Sequence, residues 1–146
     1  MEKLFFAQKA FIVKNNQLLI IQKSIDAHFC AGMWEVPGGR MEPNESVEQH
    51  LAREVFEEVG ISVNAIEPFF LWDWTLNIDD ETIHHIVGVA VYCYPKSDTI
   101  SISNQVLDDD IECYKWVDFK DIKKYNFIPN MLPVINEFIR RYGELT

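Results

Sequence analysis

Residues 45–60 constrain the fold more than any other part of the chain. Leu51, Ala52, Val55, Phe56 and Val59 recur at helical spacing, which predicts an amphipathic helix over 45–59 closed by Gly60 as a C-cap. On both sides of this helix the period changes. Residues 7–13 are largely apolar, Lys14, Asn15, Asn16 and Gln17 follow, and 18–21 are apolar again, which reads as two strands joined by a tight turn. A short strand over 33–37 ends at the breaker Pro37, Gly38, Gly39. Strands are also expected over 65–76, 82–94, 99–103 and 112–117, with the acidic turn 77–81 between the first two. A small helix is expected from 119 to 123. A terminal helix over 131–142 should turn Leu132, Ile135, Phe138 and Ile139 inward. Strands that alternate with a mid-chain helix and a terminal helix imply an α+β architecture, a mixed sheet held between helices as an α/β/α sandwich. At 146 residues and 48% hydrophobic content, one domain over 1–146 has enough apolar material for its core.

The same helix carries the chemistry. Glu54, Glu57 and Glu58 stand at i, i+3 and i+4, so three carboxylates leave one face. Their mutual repulsion is worth a few tenths of a kcal/mol per pair, which an exposed face tolerates, so the spacing alone proves little. In a cleft, the same array suits hard divalent cations that prefer oxygen. Cations held there bridge an acidic protein to a diphosphate and lower the pKa of a bound water, and another glutamate then takes the proton. Gly38 and Gly39 let backbone groups approach closely. Arg53 is placed to hold a glutamate or a phosphate. A Glu-Glu pair by itself is usually a solvated surface. The full spacing, Gly39-x5-Glu45-x7-Arg53-Glu54-Val55-x-Glu57-Glu58-x-Gly60-Ile61, has a chance frequency on the order of 10⁻¹⁰ per starting point.

That spacing resembles the signature box of the Nudix hydrolases at every defined position, across 23 residues, and Trp34, Glu35, Val36, Pro37 and Gly38 resemble the strand that enters it. The resemblance implies a mixed sheet flanked by helices, with the box as loop–helix–loop. It implies hydrolysis of a nucleoside diphosphate linked to another group, with magnesium or manganese. Carried over by position, Glu54, Glu57 and Glu58 are the expected metal ligands with the Gly38 carbonyl, Arg53 orients a catalytic glutamate, and Glu45 anchors the box loop. The general base is either a box acid (Glu57 or Glu58) or an acid of the later loop, Asp108, Asp109, Asp110 or Glu112. Glu57 and Asp110 are the leading candidates. The proline that marks many ADP-ribose hydrolases has no good counterpart, since Pro68 comes too soon. The expected substrate is therefore a nucleoside triphosphate, damaged ones included, ahead of ADP-ribose or a nucleotide sugar. A non-catalytic nucleotide-sensing module is the contrasting class.

Other features bound the function. The net charge of −10 disfavours nucleic acid and anionic membranes as partners of the whole surface and leaves a small nucleotide as the ligand. Cys30, Cys93 and Cys113 are odd in number and widely spaced, which fits a reducing cytoplasm, with Cys93 and Cys113 read as buried. The first ten residues do not read as a secretory leader, and no apolar run approaches the roughly 20 residues of a membrane span. Trp72 and Trp74 alternate along a strand and face one side, as core or as a nucleobase platform. Gly39 and Arg40 stand where substrate phosphates would lie, although an exposed arginine is as ordinary. His84 and His85 point to opposite faces and read as structural. The aromatic segment 69–74 is either core or the interface of a homodimer.

Overall fold

The structure, a computed structural model, describes residues 1–97 and 99–143; Asp98 and residues 144–146 of the expected domain lie outside the described residues. Strand β1 (Glu2–Lys14) turns through Asn15 and Asn16, both at positive φ, into β2 (Gln17–Lys23). This is the tight polar turn expected, with asparagine supplying the left-handed backbone. Two short strands follow, β3 (Trp34–Glu35) and β4 (Gly38–Arg40), then helix α1 (Val47–Val59). A long hairpin of β5 (Val63–Asn77) and β6 (Ile83–Pro95) leads to β7 (Ile111–Asp118), two 3-10 turns and the terminal helix α2 (Leu132–Tyr142). The sheet order is β3-β2-β1-β6-β5, with β4 added to β1 and β7 to β2.

The sheet is mixed because β1 runs parallel to β6 while its other partners are antiparallel. Residues 7–13 of β1 are buried on both faces, which explains their near-continuous apolar run. On one face Ala10, Ile12, Leu19, Ile21, Val91 and Cys93 pack against Leu51, Val55 and Val59 of α1. On the other, Phe11, Val13, Leu18, Ile20 and Ala90 pack against Val134, Ile135 and Phe138 of α2. The sheet thus lies between two helices, as expected. Each fully buried Leu, Ile, Val or Phe contributes about 1.5–3 kcal/mol, so these two layers are the main stabilising term.

Several local expectations change. Helix α1 starts at Val47 because Ser46 caps it, with its hydroxyl accepting from the Gln49 amide and the Gln49 side chain accepting from the Ser46 amide. Gly60 closes it in the left-handed conformation. Phe56 and Ala52 face solvent, and His50, Glu54 and Glu58 take buried positions instead. The apolar stripe is narrower than its period suggested, with Leu51, Val55 and Val59 forming the part that packs on the sheet. Leu132 is likewise half exposed at the start of α2. Residues 99–103 form no strand; Ser101 instead donates its amide to the Val59 carbonyl beside the helix end. Pro37, Gly38 and Gly39 do not simply break the chain, because Gly38 and Gly39 enter β4 and pair with Lys9 and Gln8. Cys113 is half-buried, with its thiol on Gln22 Oε1. Among the described residues no helix is long and apolar enough to cross a membrane.

Candidate active site

The carboxylates of α1 meet the backbone of β4. In the antiparallel register Ala7↔Arg40, Gln8↔Gly39 and Lys9↔Gly38, the flanking bonds run from the Ala10 amide to Pro37 O and from the Met41 amide to Phe6 O. That pattern turns the polar groups of Gly39 toward β1 and those of Gly38 and Arg40 away from it. The outward groups face α1. The Gly38 amide donates to Glu58 Oε1 at 2.7 Å, and the Arg40 carbonyl accepts from Arg53 Nη2 at 3.1 Å. A residue's amide and carbonyl point the same way along a strand, so the Gly38 carbonyl also opens toward the Glu58 side.

A side chain is resisted at both positions, for different reasons. Gly38 has φ of 148° and lies so close to β1 that a Cβ would stand 2.8 Å from Lys9 Cα. At Gly39 the obstacle is the site itself, since a Cβ would stand 2.7 Å from each carboxylate oxygen of Glu54. Gly39 is therefore the space into which the Glu54 carboxylate is packed.

Arg53 organises the acids. Its Nε and Nη2 donate to Glu45 at 2.6 and 2.9 Å, and Nη1 donates to Glu54 at 3.1 Å and Glu57 at 3.4 Å. Two parallel bonds to one carboxylate make the Arg53–Glu45 pair specific as well as strong. Arg53 holds the Glu45 carboxyl down to about 2, helped by the Glu42 amide. Glu45 thereby ties the loop before α1 to the helix. Burial pushes Glu54 up to about 7 despite Arg53, and burial together with the nearby Glu35 raises Glu58 well above the ordinary range.

Charge around these acids is unbalanced. Glu35, Glu54 and Glu58 are buried with one buried cation, Lys9, whose Nζ donates to Glu35 at 3.0 Å. Lys23, less enclosed, approaches Glu35 at 3.6 Å and donates to the Asp109 carbonyl at 2.8 Å. Three buried carboxylates against one buried lysine suit a hard divalent cation with oxygen donors. Among the described residues no group of three acidic, histidine or cysteine side chains is arranged to hold a metal ion by itself. Magnesium usually takes one or two carboxylates and completes its shell with water and phosphate, so an open donor set fits it.

A second region adjoins the first. Across the sheet, Arg40, Ala7, Gly88 and Trp72 lie in one row, and Phe5, Ile86 and Trp74 in the next. Directly paired residues share a face, so small residues floor a shallow trough between Arg40 and the two tryptophans. The Trp74 ring covers Gly88, where a Cβ would stand 2.7 Å from Trp74 Cζ3. Trp72 and Trp74 have centroids 5.2 Å apart at 33°. Trp72 is buried and donates from Nε1 to the Asn130 carbonyl at 2.9 Å, whereas Trp74 is half-exposed. Arg40 lies 4.1 Å over the Phe5 ring and donates to His84 Nδ1 at 3.1 Å. Its carbonyl belongs to the carboxylate region and its side chain to the trough.

Glu54, Glu57, Glu58, Arg53, Gly38 and Gly39 thus come together, with Arg40 at the margin leading to Trp72 and Trp74. The acidic loop approaches through Asp109, whose charge bears on Glu54. Asp110 sits at positive φ and gives its carbonyl to the Ser24 amide. Sequence reasoning passed over Lys9, Glu35, His50 and Gln8. A lysine inside a run buried on both faces was the available signal for the first. His84 was read as structural, yet it contacts Arg40; its even spacing from Ile86 and Gly88 was the only hint.

The NUDIX domain model matches residues 7–138. An 8-oxo-dGTP diphosphatase from Proteus vulgaris is 44% identical over 62 residues, 42% of this chain, and the chain spans about half of that relative, 54%. The nucleoside triphosphatase NudI of Escherichia coli K12 is 28% identical over 119 residues, 79% of this chain and 82% of NudI. The fold matches a MutT protein from Methanosarcina mazei Go1 with a TM-score of 0.77 at 22% identity, over 98% of this chain and 97% of that one. A MutT NUDIX hydrolase from Burkholderia pseudomallei matches with a TM-score of 0.75 at 22% identity, over 92% and 97%. With the box intact on α1 and the family model spanning the sheet and both helices, this chain belongs to the Nudix hydrolases.

Proposed function

We propose that the protein is a metal-dependent pyrophosphohydrolase of nucleoside triphosphates, built as one domain and working in the cytoplasm. The observation that carries this reading is the burial of Glu35, Glu54 and Glu58 with a single buried lysine, against a glycine strand whose outward backbone faces them. Glu54, Glu57, Glu58 and the Gly38 carbonyl would hold magnesium or manganese. Such an ion neutralises diphosphate oxygens and lowers the pKa of water. Arg53 holds Glu54 and Glu57 in register, and Glu57 takes the proton from the attacking water, with Asp110 as the alternative acid from the loop. Water adds to phosphorus, the P–O–P bond breaks, and the products are a nucleoside monophosphate and pyrophosphate. Gly39 and Arg40 lie beside the phosphates, and Trp74 with Trp72 offers the base a stacking surface. The names of the Proteus and Escherichia relatives support triphosphates over ADP-ribose or nucleotide sugars.

The test is a pyrophosphate- and phosphate-release screen over dGTP, oxidised dGTP, other nucleoside triphosphates, ADP-ribose and nucleotide sugars, with magnesium, manganese or a chelator. Metal-dependent turnover of triphosphates, lost by about 10²-fold or more in Glu57→Gln, is the expected result. Turnover confined to ADP-ribose or nucleotide sugars would reassign the substrate. Folded protein that turns over nothing with either metal would overturn the reading in favour of a nucleotide-sensing module.

A further inference from the structure

His50 is fully buried in α1. Its Nε2 lies 2.8 Å from the Gly39 carbonyl and its Nδ1 lies 2.7 Å from Gln8 Nε2. Gln8 is also buried, and its Nε2 donates to the Val47 carbonyl at 2.9 Å. The proton positions follow from the partners. A carbonyl only accepts, so Nε2 of His50 carries the proton, and Nδ1 of the neutral ring accepts from Gln8. The second hydrogen of the Gln8 amide goes to Val47. Every polar atom of the pair is used in one arrangement, so the network has a single low-energy state.

This network joins three elements at the place where their relative position sets the carboxylate site. Gln8 belongs to β1, Gly39 to β4, and His50 with Val47 to α1. Gly38, next to Gly39, donates its amide to Glu58 and turns its carbonyl the same way. Gly39 has no side chain to pack and β4 has three residues, so its peptides are held by the β1 ladder on one side and by α1 on the other, where His50 reaches the Gly39 carbonyl. We infer that His50, with Gln8, is a positioning residue that orients the Gly38–Gly39 backbone against α1 and so sets the affinity of the carboxylate site for a divalent cation. The inference rests on the metal-site reading above and adds to it a pair of residues outside the box positions.

The two amide side chains available at position 50 separate this role from simple core filling. The amide nitrogen of glutamine reaches the place of imidazole Nε2 and keeps the donor to the Gly39 carbonyl; that of asparagine matches Nδ1 and does not. Manganese binding to the full-length protein, followed by the paramagnetic resonance of free Mn²⁺ without any nucleotide, reads the site without turnover. Thermal unfolding of the same samples reports stability. Expected are a dissociation constant weakened about tenfold in His50→Asn and by less than about threefold in His50→Gln, at similar melting temperatures, as for loss of one partner around a ligating shell. Gln8→Met, which leaves the sequence of α1 unchanged and removes the bonds to His50 and to the Val47 carbonyl, should weaken Mn²⁺ binding in the same direction by freeing the ring to adopt the wrong tautomer. Wild-type Mn²⁺ affinity in folded His50→Asn or in Gln8→Met would overturn the inference while leaving the metal site standing. Equal weakening in His50→Asn and His50→Gln that simply follows melting temperature would also overturn it. Wild-type protein that binds no Mn²⁺ would remove the metal site and this inference together.

Discussion

Replacing Gly39 by alanine is the sharpest probe of the carboxylate site, because it adds one methyl group at a place where the neighbour is known. That methyl would stand 2.7 Å from both oxygens of Glu54, whereas ordinary contact begins near 3.4 Å. The carboxylate must therefore retreat by roughly 0.7 Å. Pushing its side chain off its rotamer costs about 0.5–1.5 kcal/mol. Weakening its bond to Arg53 forfeits part of the about 1.5–3 kcal/mol of a charged hydrogen bond. The backbone offers a counter-term, since alanine in place of glycine reduces the freedom of the unfolded chain by about 0.4–1 kcal/mol. Stability should then change by only about 1 kcal/mol, a shift of a few degrees for a chain of this size. Activity should suffer far more, because misplacing a reacting group by about 1 Å costs on the order of 100-fold. The assay is kcat/KM for pyrophosphate release from dGTP with magnesium, beside a thermal melt. Gly32→Ala is the control: φ there is +75° with nothing within 4 Å of an added Cβ, so it strains the backbone without pressing on Glu54 and should leave kcat/KM alone. Gly39→Ala with wild-type kcat/KM would refute the reasoning, because Glu54 could then not be working where it is packed.

Three further expectations concern stability and reactivity. Val55→Ala removes a fully buried contact between α1 and the sheet and should destabilise by about 2–3 kcal/mol, measured by the urea midpoint. The Cys93 thiol, pushed up to about 12 by burial, should resist maleimide in the native protein and react only on unfolding, while the half-buried Cys30 and Cys113 label first; mass spectrometry of the labelled peptides decides it. Arg140 and Arg141 hold the Glu137 carboxyl down to about 2 from an ordinary 4.5, so its stabilising effect is present above 4.5 and fades as the pH falls toward 2. Glu137→Gln should therefore flatten the drop in melting temperature across that window, lowering it most at pH 7 and least near pH 2, with salt shrinking the difference.

The helix and its acids were readable because periodicity and spacing are local. Ser46, Gln49 and Gly60 then set the helix ends by capping chemistry that is also local. What could not be read depends on partners far along the chain. Phe56 fits the apolar period of α1 yet faces solvent, while Glu54 and Glu58 on the neighbouring side of the helix are buried. Residues 2–6 belong to β1 only because β6 runs beside them. Pro37, Gly38 and Gly39 carry a strong breaker signal, and a three-residue strand with two glycines leaves no pattern to detect. His50 was invisible as a site residue for the same reason, since its importance lies in which backbone the fold brings to it. At the site, the identity of the box acids was legible and their surroundings were not.

The parallel pairing of β1 with β6 has a kinetic consequence. From Glu2↔Ile83 to Ile12↔Cys93, every pair spans about 80 positions of chain. Closing so long a loop is slow, and its entropy must be met before the contacts reward it. A chain growing on the ribosome can form α1 long before β6 is available, yet β1 has its principal neighbour only afterwards. Until then β4 is docked on a strand with one face and one edge open, and Gly38 and Gly39 have no settled frame. The acids would be displayed on a helix early, and the capacity to gather cations would arrive late, with the second half of the hairpin. A pulse-labelled exchange experiment should accordingly find the α1 amides protected before those of β4.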